Sequence, residues 1–262
     1  MSGFKRVFHF LIDSNLYIAL CAALFYWTGL MLFQNSIVEP ELVRFATVFL
    51  SALLIYNITN PVSGWSTTQK RISGGLISLL LLIVAFFLSY REVLFLGHLG
   101  VLAFFYNPGP VKIGKLREIP YLKIIFIAYI WASLISTYPA INSSESLFSS
   151  FAIRMLIGHF FFIVGITLPF DIRDFSPDLN KNVKTIPGKI GIRNTKIIAL
   201  ISLCFYFLIV STALTNVFPV LLIMIISLFL VLFSEPSNSR WYFTGAIDGL
   251  FILYFLLIYL SL

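Results

Sequence analysis

Negative charge is scarce in this chain. Only 11 of 262 residues are Asp or Glu, against 18 Lys and Arg, and charged residues together make up 11% of the sequence. A water-soluble domain of this length needs much more polar surface, so a soluble enzyme is excluded. Cysteine is nearly absent. Cys21 and Cys204 both lie inside apolar runs, which argues against a disulfide framework or a thiolate metal centre and reads them as small core residues. Alternating ten-residue strands are missing too, which excludes a membrane β-barrel. No Ser/Gly linker or low-complexity tract divides the chain, so residues 1–262 read as a single integral-membrane domain.

What remains is abundant apolar material, 59% hydrophobic and 17% aromatic. It falls into helix-length runs, so the expected fold is all-α, a polytopic bundle of about nine transmembrane helices. The runs lie near 10–33, 39–56, 74–90, 92–105, 121–138, 148–170, 195–215, 217–233 and 241–262. The basic amino terminus resembles a signal peptide, but Asp13 and Asn15 interrupt its apolar stretch, so it reads as a retained first span. Three long polar loops separate the runs, at 57–73, 106–120 and 171–194. With the amino terminus in the cytoplasm, 15 of the 18 Lys and Arg fall on the cytoplasmic side, together with all three loops. Only Arg44, Arg91 and Arg154 lie opposite, the asymmetry that topology in a cell or inner membrane requires. The plainer reading of the net charge of +7 is that it fixes topology and attracts anionic lipid, which explains less well why acids and bases share one loop; the expected partner is the bilayer, not nucleic acid.

Against this scarcity, three acids gather in "LPFDIRDFSPDLNKNVKTIPGKIG", residues 168–191. Asp171, Asp174 and Asp178 are spaced by three and four, which places them on one face of a helix. Like charges stacked in this way repel, and a shared Mg²⁺ holding a diphosphate relieves the repulsion. Arg173, Lys181, Lys184 and Lys189 are suited to phosphate oxygens. The plainer alternative is a solvated helix end whose acids pair with these bases. Pro177 places Asp178 in a turn past the helix. Next comes a Thr185 cap, a short helix opening through Pro187, and a turn at Gly191.

The stretch Arg173, Asp174, Asp178, Thr185, Ile186, Pro187, Ile190 and Gly191 resembles the second aspartate-rich motif of the UbiA-type intramembrane prenyltransferases. The segment 116–131 looks like the basic lead into that family's fifth helix, and the nine-helix layout agrees as well. The resemblance implies transfer of a prenyl group from a polyprenyl diphosphate to an aromatic or other lipophilic acceptor, as in quinone and isoprenoid-lipid biosynthesis. It also implies Mg²⁺-assisted departure of the diphosphate. Asp174 and Asp178 would be the catalytic metal ligands, with Asp171 an added ligand, while Arg117 and Lys123 occupy positions of diphosphate-holding bases.

The family's first motif, Asn-x-x-x-Asp-x-x-x-Asp, is degenerate here. Counting from Asn57, the aspartate positions hold Pro61 and Trp65; counting from Asn60 they hold Gly64 and Thr68. No acid occurs between Glu41 and Glu92, so only the amide oxygens of Asn57 and Asn60 are left to contribute. Two alternatives therefore stand beside the enzyme: a catalytically impaired homologue that binds isoprenoid lipid or scaffolds a membrane partner, and, less favoured, a transporter. Asp248, inside the last run, either lines a substrate chamber or pairs with a basic residue; pairing is the expectation. His98 and His159 read as hydrogen-bonded packing residues.

Overall fold

The structure, a computed structural model, describes residues 3–37, 41–59, 66–106, 121–143, 146–175 and 185–262. The helices are α1 Gly3–Asp13, α2 Leu16–Gln34, α3 Leu42–Thr59, α4 Thr67–Ala85, α5 Tyr90–Tyr106, α6 Leu122–Ile135, α7 Thr137–Ile141, α8 Ser150–Arg173, α9 Ile186–Ser211, α10 Phe218–Leu232 and α11 Gly249–Ser261. A π-helical segment, Tyr242–Ile247, runs into α11. Among the described residues seven helical segments are long and apolar enough to cross a membrane. The shorter α5 and α10 occupy two further positions where the sequence predicts spans. The polytopic all-helical bundle is as expected, while the count of crossing-length helices stands at seven.

The boundaries differ where polar caps extend the helices beyond their apolar runs. α4 starts at Thr67, not near 74, because Ser66 and Gln69 form a capping box: Gln69 N–H donates to Ser66 Oγ at 3.2 Å, and Ser66 N–H to Gln69 Oε1 at 2.8 Å. At α5, Ser89 N–H donates to Glu92 Oε2 at 2.9 Å. The first crossing helix begins at Leu16. Asn15, in the left-handed region at φ 61°, breaks the chain there, and the amphipathic α1 precedes it as a separate helix.

α2 lies at the centre, with Ala19, Cys21, Phe25, Tyr26 and Met31 fully buried. Phe25 packs its ring against Trp131, His159, Phe162, Phe251 and Tyr254 from α6, α8 and α11. In lipid, helices gain little from hydrophobic exclusion and associate through close packing at small residues. Two glycines show this. A Cβ at Gly29 would lie 2.1 Å from the Ile135 carbonyl oxygen, and one at Gly165 would lie 2.7 Å from Leu203 Cγ. These contacts join α2 to α6 and α8 to α9. By contrast α4 buries almost none of its surface, with Leu76, Leu79 and Leu82 exposed to the surroundings.

His159 is fully buried; its Nδ1–H donates to Met155 O at 2.7 Å and its Nε2 accepts from Tyr254 Oη at 3.2 Å. Both contacts fit the hydrogen-bonded packing role expected of it. Cys21 is buried, but Cys204 lies exposed on α9, so only the first is a core residue.

Candidate active site

Between the helices lies a cavity of about 700 Å³. Its walls are mostly apolar and include Trp131, Ile163, Phe170 and Phe251. Trp131 and Phe251 stack at 4.4 Å between ring centroids. Polar groups gather where α2, α6 and the π-helix begin and α8 ends: Asn15, Tyr17, Lys123, Arg173, Asp174, Arg240, Thr244 and Asp248. An apolar chamber with a polar end suits a ligand with a hydrocarbon body and a charged head.

Asp171 is 2% exposed and forms a salt bridge with Lys123 of α6. An unpaired carboxylate at that depth would be strongly unfavourable, so this pair joins α6 to α8 while leaving Lys123 on the cavity wall. α8 ends at Arg173, one residue before Asp174, although Pro169 already sits inside its last turn. Asp174 is the C-cap and its side chain is 33% exposed. Arg173 holds it with two hydrogen bonds, Nε to Oδ1 at 2.7 Å and a terminal nitrogen to Oδ2 at 2.9 Å. The guanidinium also lies over the rings of Phe170 and Phe243, at 5.2 and 5.7 Å. A carboxylate beside the C-terminal carbonyls of a helix adds to the negative end of the helix dipole, so this spot attracts cations.

The trio does not simply stack. Asp171 faces a lysine within the bundle, while Asp174 sits at the helix end facing the cavity. Asp178, Lys184, Arg117 and Asn60 lie outside the described residues. Asn57 stands one layer behind the wall, where its Oδ1 accepts from Asn15 Nδ2 at 2.9 Å. Among the described residues, no three His, Cys, Asp or Glu side chains are grouped to hold a metal ion.

The segment after the trio folds as its sequence predicts. Thr185 caps α9, its Oγ1 accepting from Gly188 N–H at 3.3 Å, and Pro187 sits in the first turn. Gly191 breaks the helix at φ 82°, ψ 159°, a conformation that favours glycine. Three groups were passed over as site residues. Arg240 lines the cavity and binds Asp13 at 2.6 Å, tying α1 to the start of the π-helix. Asn15 and Tyr17 line it too; the signal was polar side chains interrupting the first apolar run. Asp248 has neither a hydrogen bond nor a salt bridge from its carboxyl group to any described residue, and it lines the cavity. The expected pairing with a base is therefore replaced by the chamber-lining alternative.

Together these features define an integral-membrane helical bundle with a lipophilic chamber and an ionic mouth. The fold is that of the UbiA homologues. The structure aligns with a UbiA homolog from Aeropyrum pernix K1 at a TM-score of 0.68 and 12% identity, covering 94% of this chain and 98% of that one. It aligns with a UbiA homolog from Archaeoglobus fulgidus at 0.62 and 15%, covering 97% and 99%. The latter homolog in complex with GPP and Mg²⁺ aligns at 0.59 and 14%, covering 96% and 99%. No family model and no curated protein matches the sequence. At these identities the likeness is one of fold, and it bears out the resemblance read from the second aspartate motif.

Proposed function

We propose that the protein, as a single UbiA-like domain, transfers a prenyl group from a polyprenyl diphosphate to a lipophilic acceptor inside the membrane. The observation that carries this is the cavity, whose apolar walls meet Lys123, Arg173 and Asp174 at one end. The structural neighbour from Archaeoglobus fulgidus, seen bound to GPP and Mg²⁺ and separately to DMAPP and Mg²⁺, supports the same donor class. The donor chemistry fits Mg²⁺: Asp174 offers hard carboxylate oxygens toward the cavity, and Asp178 follows four residues later. Asp174 and Asp178 would hold the ion, with Asp171 behind them, and the ion would neutralise charge on the departing diphosphate.

The chain's own residues do the rest. Arg173 and Lys123 face the diphosphate and stabilise its developing charge, with Arg117 and Lys184 as further bases and Asn60 as an amide ligand, while Asn57 acts from behind the wall by orienting Asn15. Trp131, Phe170 and Phe251 exclude water from the allylic cation and orient the prenyl chain. The long loops and amino terminus face the cytoplasm, which puts the ionic mouth on the side of a water-soluble or membrane-borne diphosphate. The test is Mg²⁺-dependent release of diphosphate from geranyl diphosphate in membranes carrying the protein. Asp174→Asn and Asp178→Asn should each lower it by about 10²–10³-fold; full activity in both variants would rule out the metal role.

One observation favours a second reading, an isoprenoid-binding homologue without turnover. Asp171 and Asp174 are each engaged by a base, and the loop after α3 contains no acid. That reading predicts an isoprenoid co-purifying with the protein and no consumption of any prenyl diphosphate.

A further inference from the structure

Among the described residues, Asp248 is the one ionisable group on the cavity wall without a hydrogen bond or salt bridge. A carboxylate within a membrane bundle is costly, and evolved bundles tolerate one where it meets a partner or a substrate. Its setting is built around it. The π-helix ends on Asp248, whose backbone N–H donates to the Phe243 carbonyl at 3.2 Å, five residues back. Such bulges shift the register of a helix and recur at functional sites.

Tyr17 of α2 seats its hydroxyl on the Gly245 carbonyl at 2.9 Å, and a Cβ at Gly249 would come within 3.0 Å of that same hydroxyl. Cys21 Sγ donates to the backbone carbonyl of Asp248 at 3.4 Å. Backbone and neighbours are thus pinned on both sides while the carboxyl group is left to the chamber. The charged and titratable groups around it are Tyr17 and Cys21 from α2 and Arg173 and Asp174 from the end of α8. Lys123 from α6 and Arg240 from the start of its own segment share the wall. α10, which also packs on the π-helix, contributes none. Arg173 acts on Asp248 through space, while its Nε and one terminal nitrogen are engaged by Asp174.

Resting on the transferase reading above, we propose that Asp248 receives the acceptor: it accepts a hydrogen bond from a neutral hydroxyl on the acceptor and takes that proton during transfer. The acceptor oxygen forms its bond to the allylic carbon as the carbon–oxygen bond to diphosphate breaks. The bonding pair leaves on the diphosphate, and the hydroxyl proton passes to the Asp248 carboxylate. A carboxylate here repels a second carboxylate in the same low-dielectric chamber, so the site selects neutral hydroxyl-bearing acceptors over carboxylated ones.

The experiment uses the full chain in lipid nanodiscs with Mg²⁺ and geranyl diphosphate. The acceptors are a para-alkyl phenol, its para-carboxylate counterpart and a long-chain alcohol. Wild type should transfer to the neutral hydroxyl compounds and poorly to the carboxylated one. Asp248→Asn adds no volume; it should bind geranyl diphosphate within about twofold of wild type yet lose transfer by about 10²–10⁴-fold, together with the acid limb of the pH–rate profile. Asp248→Glu should restore part of the rate. Wild-type transfer rates with an unchanged pH profile in Asp248→Asn, or a preference for the carboxylated phenol, would overturn the proposal. So would tight donor binding with no transfer to any neutral hydroxyl. Failure of wild type to bind geranyl diphosphate at all would instead bring down the transferase reading, and this proposal with it.

Discussion

The two ends of the bundle use the same ion-pair chemistry for different purposes. At the end opposite the cavity mouth, Arg44 Nε donates to Glu92 Oε1 at 2.6 Å, and Glu92 has no exposed surface. Ser89 N–H and the Tyr138 hydroxyl also donate to it, so the carboxylate is saturated by protein. It fastens α3, α5 and α7 and is cut off from solvent and ligand alike. At the cavity end, Asp174 has one partner among the described residues, the adjacent Arg173, and a third of its side chain is exposed. The Asp248 carboxyl group has none among the described residues. A saturated, sealed pair serves stability. An incompletely satisfied acid at a cavity wall retains capacity for a ligand, at some expense in stability.

If that contrast is right, mutations at the two ends should separate. The largest loss of stability belongs to Glu92→Ala, which leaves the Ser89 amide and the Tyr138 hydroxyl without their acceptor and Arg44 with Glu41 alone: about 3 kcal/mol, read as thermal denaturation in detergent. Donor binding should persist in the fraction that remains folded. Asp174→Asn should do the opposite, lowering diphosphate release by about 10²–10³-fold while changing the melting temperature little, because a partly exposed pair between neighbours contributes about 0–1 kcal/mol. Equal stability losses in the two variants would erase the distinction.

Smaller effects sharpen the comparison. Gly165→Leu drives a side chain into Leu203 and should cost about 1–3 kcal/mol through the α8–α9 contact, without altering the pH dependence of any activity. Thr185→Ala removes the cap of α9 and should cost about 1 kcal/mol. Because that cap anchors the segment following the acid cluster, its signature should be a weaker apparent affinity for geranyl diphosphate measured beside the melting curve.

Much of the scaffold was legible in the residues themselves. Apolar runs marked the place of every membrane-scale helix, and Thr185, Pro187 and Gly191 announced a cap, a first turn and a break that the structure reproduces. Two misjudged starts had readable signals. Ser66 with Gln69, and Asn15 between two apolar stretches, are local cues that outweigh mean hydropathy. Asn57, singled out through a degenerate motif, turned out to reach the cavity only through Asn15, 42 residues earlier.

By itself the sequence determined that the chain lives in a bilayer as helices, where those helices fall, and that its acids cluster at one boundary. Those features depend on composition and on interactions a few residues apart. Tertiary structure alone decided that Asp171 goes to Lys123, that Asp13 goes to Arg240, and that Asp248 faces a chamber instead of a base. A helical repeat tells which residues share a face, but not what that face meets. Whether a buried carboxylate is neutralised or left open to a ligand is therefore fixed only when distant helices pack.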